Sequence, residues 1–151
     1  MIIRRASQSD LPELQELARR TIDRNYRSFL GDESVDWFLE SGESDKEVIE
    51  NLDNCSVAEE GDKQIAYCVY YEDFIHILMV DPDFQRAGIG KQMLGYVEDE
   101  FRRSGRSKCR LESFQENSQA INFYLGNGFV TMAEEVDPNS GVSRVHMSKQ
   151  L

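Results

Sequence analysis

The stretch "VDPDFQRAGIGK", Val80 to Lys91, decides how the rest of the chain is read. An apolar run stops at Pro82, passes charged residues, and dissolves into Gly88 and Gly90 before a helical pattern resumes with Leu94, Val97 and Phe101 on one face. Glycines let backbone approach a ligand closely, and the free N–H groups at a helix start bind anions with the help of the helix dipole. Arg86 and Lys91 add positive charge to the same place. Known phosphate fingerprints fit badly: a dinucleotide motif needs glycine at Met93, and a Walker loop needs glycine at Gln85 and Ser or Thr at Gln92. Two readings stand side by side, an anion cradle of another kind and a tight strand-to-helix turn carrying a solvated Arg and Lys.

Outward from this loop, periodicity gives the architecture. "MIIRRAS" reads as a first strand, and Asp10 with Glu13 as a capping box opening a helix over about 10–27, with Leu11, Leu14, Leu17, Ala18 and Ile22 at helical spacing. "GDESVDWFLESGESDKEVIENLDN" holds two apolar clusters, Val35 to Leu39 and Val48 to Leu52, and predicts two short helices with a mobile acidic connection. "CSVAEEGDKQIAYCVYYEDFIHILMV" gives three strands of an antiparallel meander, turning at Gly61-Asp62 and Glu72-Asp73. Beyond the glycine loop and its helix come a fifth strand in "SKCRLESF", a short helix in "NSQAINFYLGNGF", and a closing pair of strands joined by "PNSG". The order β-α-α-β-β-β-α-β-α-β-β predicts an α/β fold: a mixed sheet of six to seven strands with helices on both faces, its fourth and fifth strands parallel across a helical crossover.

At 151 residues the chain is the size of one domain, read as 1–151, and needs no staple to bury a core. With 17 basic against 28 acidic residues the formal charge is -11, which argues against nucleic acid or an anionic membrane as a partner. Cys55, Cys68 and Cys109 are far apart and in apolar settings, which reads as reduced thiols of a cytoplasmic protein. His76 and His146 are the chain's two histidines, so no zinc site is expected. The N-terminus lacks the pattern of a signal peptide, and no window is apolar enough to span a membrane.

"VDPDFQRAGIG" resembles the coenzyme A pyrophosphate loop of the GNAT N-acetyltransferase superfamily, Q/R-x-x-G-x-G/A after a strand ending in V-x-P, with Gln85, Gly88, Gly90, Val80 and Pro82 in the matching places. "LESFQENSQAINFYLGNGF" resembles the family's later motif through Asn117, Ala120, Tyr124, Gly128 and Phe129. The resemblance implies an acetyl-coenzyme A dependent transfer to a primary amine, on a small molecule or on a protein as an α-amine or lysine. It implies that the backbone of Leu78, Met79 and Val80 meets the pantetheine arm and that Gln85, Arg86, Ala87, Gly88, Ile89, Gly90 and Lys91 hold the pyrophosphate. Asn117 would touch the cofactor; as a residue it also reads as a helix N-cap.

Acyl transfer from a thioester needs a base for the amine, donors for the carbonyl oxygen and an acid for the thiolate. The resemblance makes Tyr124 the acid; its spacing with Ala120 and Ile121 reads equally as a core aromatic. Glu112 in "RLESF" matches a glutamate base in the protein N-terminal acetyltransferase branch, against the alternative of a polar strand face with Arg110 as partner. His76 is the rival base, on a face shared with Phe74 and Leu78 if the strand alternates regularly. Phe74 stands where many relatives carry an acid. The acceptor would be recognised by "RNYRSFLGDESVDWF" and "VDPNSGVS", with Tyr26, Phe29 and Trp37 lining a pocket and Asp32, Glu33 and Asp36 attracting a cation. A catalytically silent coenzyme A sensor is the alternative reading, hydrolysis of acyl-coenzyme A a minor third, and the chain is read as a monomer or homodimer.

Overall fold

The computed structural model describes residues 1–151. In chain order its strands are β1 (Ile2–Arg5), β2 (Cys55–Glu60), β3 (Lys63–Tyr71), β4 (Phe74–Val80), β5 (Lys108–Phe114), β6 (Val130–Val136) and β7 (Ser143–Gln150). Its helices are α1 (Leu11–Asn25), α2 (Arg27–Leu30), α3 (Asp32–Glu40), α4 (Glu43–Asn51), α5 (Ile89–Arg103) and α6 (Ser118–Gly126). The strands form one seven-stranded sheet in the order β1-β2-β3-β4-β5-β7-β6, the upper end of the expected six to seven. β4 and β5 are parallel, as the helical crossover requires, and the other neighbours are antiparallel.

The apolar positions of α1 that recur at helical spacing, Leu14, Leu17, Ala18 and Ile22, are buried with Val35, Val48 and Leu52 against β2, β3 and β4. On the opposite face Ile89, Met93, Leu94, Val97 and Phe101 of α5 pack with Tyr124 and Phe129. Each such large side chain stabilises the fold by roughly 1.5–3 kcal/mol through the apolar area it removes from water. Apart from α2, whose Phe29 reaches Phe114 at the end of β5, helices α1–α4 do not extend over the other half of the sheet. There Glu112, Arg144 and every residue of β6 are exposed, so one face of β5, β7 and β6 stays open.

Two local expectations are corrected. The capping box lies three residues earlier than expected: the Ser7 N–H donates to the Asp10 carboxylate at 2.7 Å, and a single tight turn precedes α1. Asp10 is buried and accepts two bonds of 2.8 Å from Arg4, whose guanidinium holds the carboxyl down at about 2. Glu13 instead accepts the Gln64 N–H of β3 at 2.7 Å, because β3 passes the helix start and offers a stronger partner than the helix's own backbone. The acidic connection is also shorter than expected. The helices α3 and α4 consume most of "ESGESDKE", and Gly42, at φ 85, turns the chain between them.

Two irregularities in β4 prepare the site. Its pairing with β3 shifts between Val69↔Ile77 and Tyr70↔Ile75, which makes His76 the extra residue of a bulge. As a result Ile75 and Leu78 pack on the α5 side while Ile77 and Met79 pack on the α1 side. The pairing with β5 covers Phe74↔Arg110 and Ile75↔Leu111 and goes no further. Past that point the two strands part, while β3 stays paired with β4 as far as Val80.

Candidate active site

The parted strands leave one edge of β4 without a partner. Asp81 donates its N–H to Ile65 of β3 at 2.8 Å, and backbone groups alternate between edges along a strand. Leu78 and Val80 therefore direct their N–H and C=O groups into the cleft between β4 and β5, whereas Met79 pairs with Tyr67 of β3. The Val80 carbonyl accepts the Gln85 side-chain amide at 3.0 Å, and Gln119 of α6 donates to Gln85 Oε1 at 3.2 Å, so Gln85 ties the loop to the strand end and to α6.

The glycine loop follows. From Arg86 to Lys91 no backbone N–H finds an acceptor within the chain; the first helical bond of α5 runs from the Gln92 N–H to Gly88. Gly88 takes the left-handed conformation at φ 80, where a side chain would be strained though space around it is open. Arg86 also has a positive φ of 64. Gly90 serves a different purpose: a Cβ there would meet the Phe123 ring at 3.3 Å and Val80 at 3.7 Å, so it permits close packing of α5 on α6 and β4. The structure thus gives a row of unsatisfied donors at a helix N-terminus, beside the exposed Arg86 and Lys91.

Asp81 anchors this loop and escaped the sequence reading. Fully buried, its carboxylate accepts the Asp83 N–H at 2.9 Å and pairs with Arg20 of α1. Burial alone would raise its pKa, but the Asp83 amide, Arg20 and Lys63 outweigh that and hold it below the ordinary value. An Asp directly before Pro82 is the N-cap pattern that was available as a signal.

Asn117 caps α6, its Oδ1 accepting the Ala120 N–H at 3.2 Å, which leaves its side-chain NH₂ free to donate. Tyr124 packs edge-on against Phe123 and Phe129, with centroids 5.2 and 5.3 Å away, and is 7% exposed. Its hydroxyl makes no hydrogen bond within the chain, yet it is not sealed from solvent as the unpaired atoms of Ser44 and Gln64 are. Burial pushes the phenol well above its usual range, with the nearby Cys68, Tyr26 and Cys109 adding to the effect. Tyr26 belongs to the α1 side of the sheet and Tyr124 to the α5 side, and the gap between β4 and β5 lies between them.

Of the two expected bases, Glu112 lies on the open face of β5, and its partner is not Arg110. Arg110 binds Asp73 at 2.8 and 3.0 Å, while Glu112 Oε1 stands 3.3 Å from Nδ1 of His146, directly opposite on β7. His146 Nε2 lies 2.9 Å from Glu135 of β6. His76 is on the same side of the sheet as Phe74, both rings lying near Tyr71, but the bulge separates its face from that of Leu78. Its charge acts on Glu47 of α4, whose pKa burial raises.

The two segments expected to recognise an acceptor do meet. Phe29, Leu30, Phe114 and Val142 line a pocket of about 150 Å³ with Glu116 at its edge. Tyr26, Phe29 and Phe114 form an aromatic group with centroids 5.2–6.4 Å apart. Trp37 is 61% exposed and takes no part in this pocket, and Asp32 and Asp36 are held by Arg27 at 3.2 and 2.8 Å. Beside the pocket a polar recess is lined by Glu112, Glu135, Asp137 and Arg144, with the Arg144 guanidinium over the Phe114 ring at 5.1 Å.

A parted pair of parallel strands thus opens onto a row of free amides. The family described as Acetyltransferase (GNAT) domain matches residues 51–131, and the chain belongs to the GNAT acetyltransferases. It is similar to spermidine N(1)-acetyltransferase of Thermoplasma acidophilum, 28% identical over 143 residues, which cover 84% of this chain and 86% of that protein. A ribosomal-protein alanine N-acetyltransferase of Escherichia coli is 35% identical over 65 residues, 43% of this chain and 44% of that enzyme. Among solved structures, a PaiA N-acetyltransferase of Thermoplasma acidophilum in complex with coenzyme A superposes with a TM-score of 0.83 at 22% identity, covering 99% and 98% of the two chains. No helix is long and apolar enough to cross a membrane.

Proposed function

We propose that this chain transfers the acetyl group of acetyl-coenzyme A to a primary amine. The observation that carries the reading is continuity: the open edge at Leu78 and Val80 leads directly into the unsatisfied amides of Arg86 to Lys91. The donor set fits coenzyme A, because strand-like amides suit the pantetheine arm and a helix N-terminus with Arg86 and Lys91 suits a pyrophosphate. Bound acetyl-coenzyme A supplies the thioester carbonyl that an amine attacks. Asn117 contributes a further donor beside the loop.

The chain's own residues supply the proton chemistry. Glu112 on the open face takes a proton from the acceptor's ammonium at its carboxylate, since a protonated amine with pKa ~10.4 has no free electron pair. The N–H groups of Leu78 and Val80 are poised to donate to a carbonyl oxygen lying in the cleft. Tyr124, kept protonated by burial, gives its hydroxyl proton to the departing sulfur. His76, on the same face as the cleft but near Glu47, is the less favoured base.

The relatives are named for spermidine and for an alanine of ribosomal protein bS18. Here an apolar slot of Phe29, Leu30, Phe114 and Val142 next to Glu112, Glu116, Glu135 and Asp137 suits a cationic amine attached to an apolar group. Calorimetric titration with acetyl-coenzyme A, followed by thiol detection with spermidine and with a peptide beginning in alanine, tests the reading. Binding with amine-dependent thiol release is expected. Binding without turnover across a broad amine panel would replace the enzyme by a coenzyme A sensor, and no binding would reduce the loop to a turn.

A further inference from the structure

His146 is the one side chain on the open face with a carboxylate at each ring nitrogen, Glu112 at 3.3 Å and Glu135 at 2.9 Å. A neutral imidazole carries one N–H and one lone pair, so it satisfies one carboxylate and turns a lone pair toward the other. The shorter contact assigns the N–H to Nε2, donating to Glu135, and leaves Nδ1 as an open proton acceptor facing Glu112. The ring is also the most sheltered of the three groups, at 32% exposure against 42% for Glu112 and 69% for Glu135. The other charged groups on this face are Arg110, occupied by Asp73, and Arg144 and Asp137, which line the same recess.

We propose that His146 receives the acceptor's proton from Glu112 and that Glu135 positions the ring for it; this rests on the reading of Glu112 as base. An N–H bond of the acceptor's ammonium breaks, its electron pair stays on nitrogen, and an O–H bond forms at Glu112. That O–H then breaks as an N–H forms at Nδ1, giving an imidazolium with a carboxylate beside each ring nitrogen. The ring loses this proton to water when the acetylated product leaves, which restores the starting state. The benefit follows from ordinary chemistry: an imidazole nitrogen is a stronger proton acceptor than a carboxylate oxygen, so the proton moves off Glu112 and the carboxylate is free again.

The protein allows a test that needs no acceptor, because these 151 residues hold two histidines and a His76→Gln variant assigns the second. Nitrogen-15 spectra of the ring are expected to show the Nε2–H tautomer for neutral His146, and Glu135→Gln is expected to weaken that preference. In turnover with acetyl-coenzyme A and spermidine, His146→Gln should lower kcat by roughly 10- to 100-fold with coenzyme A affinity unchanged. Glu135→Gln should lower kcat with coenzyme A affinity unchanged, because the ring loses the carboxylate that fixes its orientation. An inactive Glu112→Gln beside a wild-type rate in His146→Gln and a wild-type rate and tautomer in Glu135→Gln would overturn the relay and leave Glu112 as base. A wild-type rate for Glu112→Gln would overturn the base assignment and the relay together. Absence of the Nε2–H preference in the unaltered protein would by itself refute the proposed geometry of proton transfer.

Discussion

Alanine placed singly at Gly88 and at Gly90 should produce two different defects, although the glycines lie two residues apart. At Gly88 the added methyl meets nothing within 4 Å, so the whole penalty is conformational, the ~1–2 kcal/mol an ordinary residue incurs in the left-handed region. Gly88 is exposed at the loop tip, so the free loop relaxes away from that conformation and the cost returns when a ligand requires the cradle. That corresponds to a rise in the coenzyme A Kd of roughly 5- to 30-fold with little change in Tm. At Gly90 the backbone is helical and alanine is favoured there, but its methyl would sit 3.3 Å from the Phe123 ring, which packs edge-on against Tyr124. The expected result is a disturbed Tyr124 and a loss in kcat larger than the loss in affinity. Calorimetry with coenzyme A, thermal unfolding and single-turnover rates separate the two. Wild-type affinity in Gly88→Ala would refute the claim that the loop's backbone binds the cofactor.

Further tests follow from the same geometry. Tyr124→Phe should keep coenzyme A affinity within about twofold and lower kcat by about 100-fold, the lower end for loss of a general acid. Because burial raises this phenol, its ionisation should put no alkaline limb on the wild-type profile below pH ~10, a point that a pH series settles directly. Asp10→Asn should destabilise the fold by about 1–2 kcal/mol at pH 7. The wild-type carboxyl sits at about 2 against an ordinary 3.8, and Arg4 is partly solvated, which trims the full linkage value. The sign is that of a depressed acid: the contribution is present above pH ~4 and fades as pH falls toward 2, so denaturant curves of wild type and variant should converge in acid. Asp81→Ala should cost about 1–3 kcal/mol by removing a buried carboxylate bonded to the Asp83 amide and to the partly solvated Arg20, and should also weaken coenzyme A binding, since that carboxylate fixes the turn that starts the loop.

Much of this was legible in the sequence, and the exceptions share a cause. The strand-loop-helix at Val80 to Lys91 and the motif around Asn117 and Tyr124 are local patterns, and the elements formed where spacing put them. His76 was assigned its neighbours by alternation, and a bulge across from Tyr70 and Val69 broke that alternation after it. Glu112 was given Arg110, two residues away, whereas its partner His146 comes from a strand 34 positions later whose register no local pattern states. Asp10 and Glu13 have the spacing of a capping box, but Arg4 and Gln64 are stronger partners supplied by the sheet. The resemblance puts Trp37 in the acceptor pocket, yet on α3 it is left exposed to solvent. Side chains that answer to non-local partners were the ones misread.

The early parting of β4 and β5 has a mechanical consequence. With Phe74 and Ile75 as the extent of their pairing, the sheet is two smaller sheets, β1 to β4 and β5-β7-β6, joined by a narrow seam. Hydrogen exchange should reveal this as two cooperative units, with the amides of Leu78 and Val80 exchanging faster than those of Ile77 and Met79 on the same strand. A ligand lying in the cleft would act as the missing ladder between the halves. At 100 times its Kd it would add about 2.7 kcal/mol to their joint stability, and the two exchange units should then fuse into one.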